Sequence, residues 1–220
     1  MRNIKGLALS ERSESNGFTL IEILVVIALL GVLGLVLTNI LTQVLRGQNK
    51  INIINLVKQN GQVILDQISN EIRSSEKIIC LESTSMVLFK SENRDSNYTR
   101  LKIIAPTLSL NGYFTKENFT KFDIPDGVTE SSMCSNGTQF NPVNLTDKND
   151  IVNGVSVDYD KTGGIDQPVF TKLVSQPGFP DLISIKFRAK EGVKTSSNVE
   201  NTITESGVLF TTSISLRGGK

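Results

Sequence analysis

From Ile23 to Leu45 the chain carries no charged residue, and most positions are Ile, Leu, Val, Ala or Gly. A helix rising about 1.5 Å per residue over that length spans the roughly 30 Å hydrocarbon core of a bilayer. The competing reading is a core helix of a soluble protein, and the run is too long and too uniformly apolar for it. Residues 1–17 (MRNIKGLALSERSESNG) are polar, with Arg2, Lys5 and Arg12 set against Glu11 and Glu14. This positive bias predicts a cytoplasmic N-terminus and export of the chain beyond the helix. An ordinary secretory signal ends its apolar stretch at a small-residue cleavage site. Thr38, Asn39 and Thr42 do not form one, so the hydrophobic segment is expected to stay in the mature protein.

Composition narrows the remaining chemistry. The 220 residues are enough for one or two domains with a real core. A formal net charge of +1 gives no electrostatic support for nucleic-acid binding. The chain has no His, which removes every His-dependent triad and the commonest metal ligand. No nucleophile and base pair off in the sequence, so no enzymatic activity is expected. Cys80 and Cys134 are too far apart for a zinc pattern. In an oxidising compartment they can form one disulfide; in a reducing one they are two small apolar residues.

Beyond Leu45 the apolar run ends and a helical period persists. Ile54, Val57, Gly61, Ile64, Ile68 and Ile72 recur at steps of three and four, interleaved with Lys58, Gln59, Asp66, Gln67, Asn70 and Glu71. No proline precedes Pro106, so one helix is predicted from Phe18 to about Ser75. Gly31, Gly34 and Gly47 are its points of low propensity. Alternating segments come next: Met86 to Phe89, Arg100 to Ile104, Val155 to Tyr159, Ile183 to Phe187 and Val208 to Leu216. Each reads as a half-buried strand, giving an α+β fold with one long helix laid on an antiparallel sheet. The stretch from Gly112 to Asp150 is polar, turn-rich and without a clear period. Four Asn-x-Thr tripeptides, at Asn97, Asn118, Asn136 and Asn144, read as exposed polar loops.

Two places carry candidate chemistry. Glu22 is the sole charge between Phe18 and Leu45, near the cytoplasmic end of a membrane helix. An intramembrane carboxylate costs on the order of a few kcal/mol and needs a partner, and its own helix offers no cation. Asp158, Asp160, Thr162 and Asp166 have the oxygen spacing of a calcium loop, with Gly163 at the turn. The twelfth position is Val169 where such loops carry Glu, and a polar hairpin turning at Gly163-Gly164 reads equally well.

The junction Gly17-Phe18-Thr19-Leu20-Ile21-Glu22, leading into an unbroken apolar helix, resembles the type IV prepilin family and its class III signal peptide. The resemblance implies that a prepilin peptidase cuts after Gly17 and methylates the new amine of Phe18. It also implies that Glu22 pairs with the Phe18 amine of a neighbouring subunit in a fibre. The later segments QVILDQISNEIRSS, NGVSVDYD, DLISIKFRAK and LFTTSISLRG resemble the larger minor pilins and the J-type pseudopilins of type II secretion. On this reading residues 1–17 are a cleaved leader and 18–45 a transmembrane and fibre-core helix. Residues 46–79 are its amphipathic half and 80–220 a β-rich periplasmic or extracellular head. The expected function is a structural subunit of a type IV pilus or type II secretion-like fibre. Its partners would be the peptidase, other pilins or pseudopilins, the inner-membrane assembly platform and the membrane. The alternatives are a pilus-tip binding module, an adhesin or DNA-uptake pilin, and a plain single-pass anchored protein.

Overall fold

Leu20–Ser74 forms a single 55-residue α-helix, α1, uninterrupted by proline. The computed structural model describes residues 17–92, 95–152, 154–162, 164–173, 180–192 and 207–216. Residues 1–16, which carry the leader charges, and Gly163 lie outside them. The chain divides into two compact units, Met1–Gly47 and Gln48–Lys220.

In the first unit every described residue is exposed. The hydroxyls of the apolar run turn back onto the helix: Thr38 Oγ1 donates to the Gly34 carbonyl and Thr42 Oγ1 to the Thr38 carbonyl, each at 2.8 Å. A helix in hydrocarbon has no water to satisfy such groups, and this bonding leaves an almost wholly apolar surface.

In the second unit the helix buries Val57, Gly61, Ile64, Ile68 and Ile72 of the predicted stripe, together with Ser69, while Ile54 at its start is half-buried. The helix ends where serines compete for its last carbonyls. Ser74 and Ser75 both donate their hydroxyls to the Glu71 carbonyl, at 3.0 and 2.6 Å.

Two larger antiparallel sheets meet this stripe, where the sequence suggested one. The first is a sequential meander of β1 (Lys77–Leu81), β2 (Ser85–Glu92), β3 (Asp95–Ile104), β4 (Tyr113–Thr120) and β5 (Val143–Asn144). The remaining strands are β6 (Val155–Asp158), β7 (Lys161–Thr162), β8 (Ile165–Asp166), β9 (Phe170–Leu173), β10 (Leu182–Glu191) and β11 (Val208–Ser215). The second sheet is built on β10, flanked by β11 on one side and by β6 and β9 along the other. β7 and β8 form a separate two-stranded ribbon.

The main core joins the helix stripe to Met86, Leu88, Leu101, Ile103 and Phe114 of the first sheet. Val157, Ile183, Ile185, Phe187 and Ile214 add the second sheet to it. Gly112 ties the sheets together. Its carbonyl accepts from Val157 N–H at 3.0 Å and its N–H donates to the buried Ser156 Oγ at 2.9 Å. A Cβ there would lie 1.9 Å from the Val157 carbonyl oxygen, so only glycine allows the approach.

The opposite face of the first sheet carries a second core of Val87, Tyr98, Phe119, Met133 and Cys134, with Phe140 packed against it. The stretch from Gly112 to Asp150 therefore supplies a central strand, β4, and then a covering segment. Cys80 and Cys134 are joined as a disulfide across a sequence separation of 54. Closing a loop of that size stabilises a fold by about 4 kcal/mol through the entropy of the unfolded chain. Asn97 and Asn118 lie within β3 and β4 and not in loops. Asn97 stands opposite Thr120 and Thr99 opposite Asn118, with Thr99 Oγ1 donating to Asn118 Oδ1 at 3.1 Å.

Gly61 faces the Phe210 ring, which stacks on Phe187 at 5.3 Å between centroids. A Cβ at Gly61 would sit 2.2 Å from that ring. Gly61→Val is therefore expected to cost about 2 kcal/mol, the usual scale of overpacking. Phe210→Ala in the same chain should recover part of it. The check is a double-mutant cycle by urea unfolding of residues 48–220, in which strictly additive losses would contradict the contact.

Candidate processing and assembly site

Gly17 and Phe18 precede the helix outside any regular element and are exposed, with Phe18 at 79%. Nothing lies within 4 Å of a Cβ built on Gly17, and its φ is not positive. Neither packing among the described residues nor backbone conformation requires glycine at this position.

Thr19 precedes the first helical residue and Glu22 stands three positions on. Glu22 N–H donates to Thr19 Oγ1 at 3.3 Å, and Thr19 N–H donates to Glu22 Oε2 at 3.5 Å. This is a capping box, which satisfies two of the orphan donors at a helix start and stabilises it by about 1 kcal/mol. A carboxylate in a first turn also complements the helix dipole. Glu22 thus has local donors in its own chain, although no cation stands on its helix before Arg46. The Thr-x-x-Glu spacing is legible in the sequence. Both contacts are long and Glu22 stays exposed, so the carboxylate keeps lone pairs free for a stronger donor.

The aspartates at 158–166, spaced like calcium ligands, each face a cationic side chain of the protein. Asp160 is buried, and its carboxylate accepts from Lys186 Nζ and, at 2.6 Å, from Arg188 Nε. Asp158 Oδ2 lies 3.8 Å from Lys190 Nζ and Asp166 Oδ1 lies 3.7 Å from Lys161 Nζ. Among the described residues no group of three or more acidic or cysteine side chains converges to hold a metal. Thr162 is exposed and belongs to the β7–β8 ribbon, which turns through Gly164 at φ +80°. The oxygens spaced for a cation are instead answered by lysines and an arginine, those for Asp158 and Asp160 lying on β10.

The hydrogen bond from Lys186, then that from Arg188, holds the Asp160 carboxyl below the usual aspartate range, against the opposing effect of burial. A depressed carboxylate stabilises the fold fully above its unfolded value of about 4, and that contribution is lost as pH falls through the folded value. Asp160→Asn should therefore destabilise the head at neutral pH by about 2 kcal/mol, leaving two cations under-paired. The gap between variant and parent should close on acidification below pH ~4. Denaturant unfolding across that range measures it, and a gap independent of pH would refute the assignment.

The comparisons with known proteins bear on the other end of the chain. Residues 12–38 match the family model for the prokaryotic N-terminal methylation motif. No curated protein and no solved structure matches the chain. The matched segment contains Gly17, Phe18, the Thr19–Glu22 capping box and the first part of the apolar helix. The motif supports a type IV pilin-like prepilin with a class III signal peptide.

Proposed function

We propose that the protein is a structural subunit, a minor pilin or pseudopilin, of a type IV pilus or type II secretion-like fibre. The observation that carries this reading is the methylation motif, which runs into a helix whose apolar residues from Leu20 to Leu45 are exposed. A prepilin peptidase cuts after Gly17 and methylates the amine of Phe18. The unconstrained glycine supports this, because its small size serves no purpose within the described fold. The leader stays cytoplasmic, residues 18–45 sit in the inner membrane, and the head lies on the far side. An assembly platform then moves the helix from lipid into a bundle of like helices. No catalysis is assigned to the head.

Glu22 acts at that transfer. In the membrane it stays near the headgroups, held by Thr19 at small cost. In an apolar bundle an unpaired carboxylate is very unfavourable. The amine of a neighbour's Phe18 offsets the penalty only in one axial register, so the pair selects the stagger of the fibre.

Three substitutions separate capping from charge pairing. Glu22→Gln retains the capping geometry and removes the charge. Glu22→Ala removes both, and Glu22→Lys places two cationic groups together. All three should reach the membrane and be cleaved. Gln and Ala should both lose incorporation into the host's fibre, and Lys should lose most. Co-purification with fibre components, normalised to membrane level, reads the result. Incorporation of Glu22→Gln at the parent level would leave only the cap as the role of Glu22.

A further inference from the structure

The segment from Lys121 to Phe140 has little regular structure of its own, only two single-turn 3-10 helices at Lys121–Asp123 and Glu130–Ser132. It nevertheless covers an aromatic face, where Tyr98 stacks on Phe119 at 5.4 Å and Phe119 on Phe140 at 4.6 Å. Two ties hold it there. One is the Cys80–Cys134 disulfide. The other is Arg100 on β3, whose side chain is 2% exposed.

A buried guanidinium is tolerable only when its charge is balanced and most of its donors are met; both terminal nitrogens of Arg100 are bonded, while its Nε has no partner among the described residues. Arg100 Nη2 donates to Glu117 Oε2 at 2.5 Å, and Glu117 is itself 4% exposed. The remaining acceptors are main-chain carbonyls of the covering segment. Arg100 Nη1 donates to Met133 and to Asn136, each at 2.9 Å, and Nη2 donates to Thr138. Glu117 adds a further tie by accepting from Phe140 N–H at 3.1 Å. Met133 and Asn136 bracket Cys134, so the chain carrying that cysteine is bent around one nitrogen. The Cys134 carbonyl is fixed in turn by Ser85 Oγ, which donates to it at 2.9 Å. None of these bonds involves sulfur, so each can form while both cysteines are thiols.

We propose that Arg100, balanced by Glu117, is the positioning group that sets Cys134 opposite Cys80, so that oxidation locks a loop already shaped by the guanidinium. The reaction with a glutathione-type disulfide is two protein thiols plus one oxidised glutathione giving one protein disulfide plus two reduced glutathiones. A protein thiolate attacks the glutathione disulfide and forms a mixed disulfide, releasing one glutathione. The second protein thiolate displaces the other, and two electrons and two protons have passed to glutathione. That second displacement is intramolecular, and its equilibrium depends on how well the thiols are already placed.

The test uses the full chain in detergent micelles, equilibrated over a series of reduced-to-oxidised glutathione ratios, trapped by alkylation and read by mass. The temperature is one at which circular dichroism shows both redox forms folded. Arg100→Met is expected to lower the protein's thiol–disulfide equilibrium constant by about tenfold, since three charge-assisted bonds to the loop are lost. Lys116→Met breaks an ion pair with Glu71 remote from the disulfide and should leave the constant unchanged. A purely structural Arg100 would destabilise the dithiol and disulfide forms alike, and the constant for Arg100→Met would then stay within about twofold of the parent by linkage. That result overturns the proposal. If Arg100→Met does not fold as the dithiol, Arg100→Lys and Ser85→Ala are read instead. Each should lower the constant by about threefold through one or two lost bonds, and no shift in either overturns the proposal equally.

Discussion

Apolar surface has to be buried somewhere, and from Leu20 to Leu45 this chain leaves its own exposed. A stretch of that size in water would associate without specificity. The chain must therefore live first in lipid and later, if it leaves lipid, among other apolar helices. The arrangement of polar groups fits that itinerary. Thr38 and Thr42 turn their hydroxyls inward onto carbonyls, and the one charge stands in the first turn, where the dipole and Thr19 receive it. The same helix then changes character. Beyond Gln48 it presents one apolar stripe, and two sheets close on it.

The head divides its stability between two layers. The main core is ordinary apolar packing, in which Gly61 and Gly112 mark where backbones come too close for a side chain. The second core depends on a segment with almost no regular structure, so its order comes from specific ties. A disulfide and a buried ion pair perform this task on the same few residues, Met133 to Phe140. Specific ties of this kind offset the entropy of ordering a loop, which apolar contact along an irregular chain does poorly.

Much of this was legible in the residues. The stripe from Val57 to Ile72 has a helical period, and β10 and β11 alternate cleanly, so both could be read directly. β4 could not. Its outward face holds Thr115, Glu117 and Phe119, all buried, while its inward face passes from Phe114 to Lys116 and Asn118. No binary pattern survives, because Glu117 is buried only by virtue of Arg100 on the next strand. The partners of Asp160 are hidden from the sequence for a related reason. Its spacing with Asp158 and Asp166 suggested a cation loop, and the cations that answer it stand on β10, beyond any local window. The junction at Gly17 and Phe18 is legible because its information is linear: the motif lies in consecutive, exposed residues. The capping role of Glu22 is equally legible in the spacing Thr-x-x-Glu, alongside its isolated charge.

The central claim is that Gly17-Phe18 is a processing junction and the apolar helix a mature N-terminus. It is tested most directly by the intact mass of the protein purified from membranes of its own host. The predicted result is a chain that begins at N-methyl-Phe18, lacking residues 1–17 and heavier by one methyl group than the cut alone would give. A chain retaining Met1 in cells with active prepilin peptidase, or one cut at any other position, would contradict it.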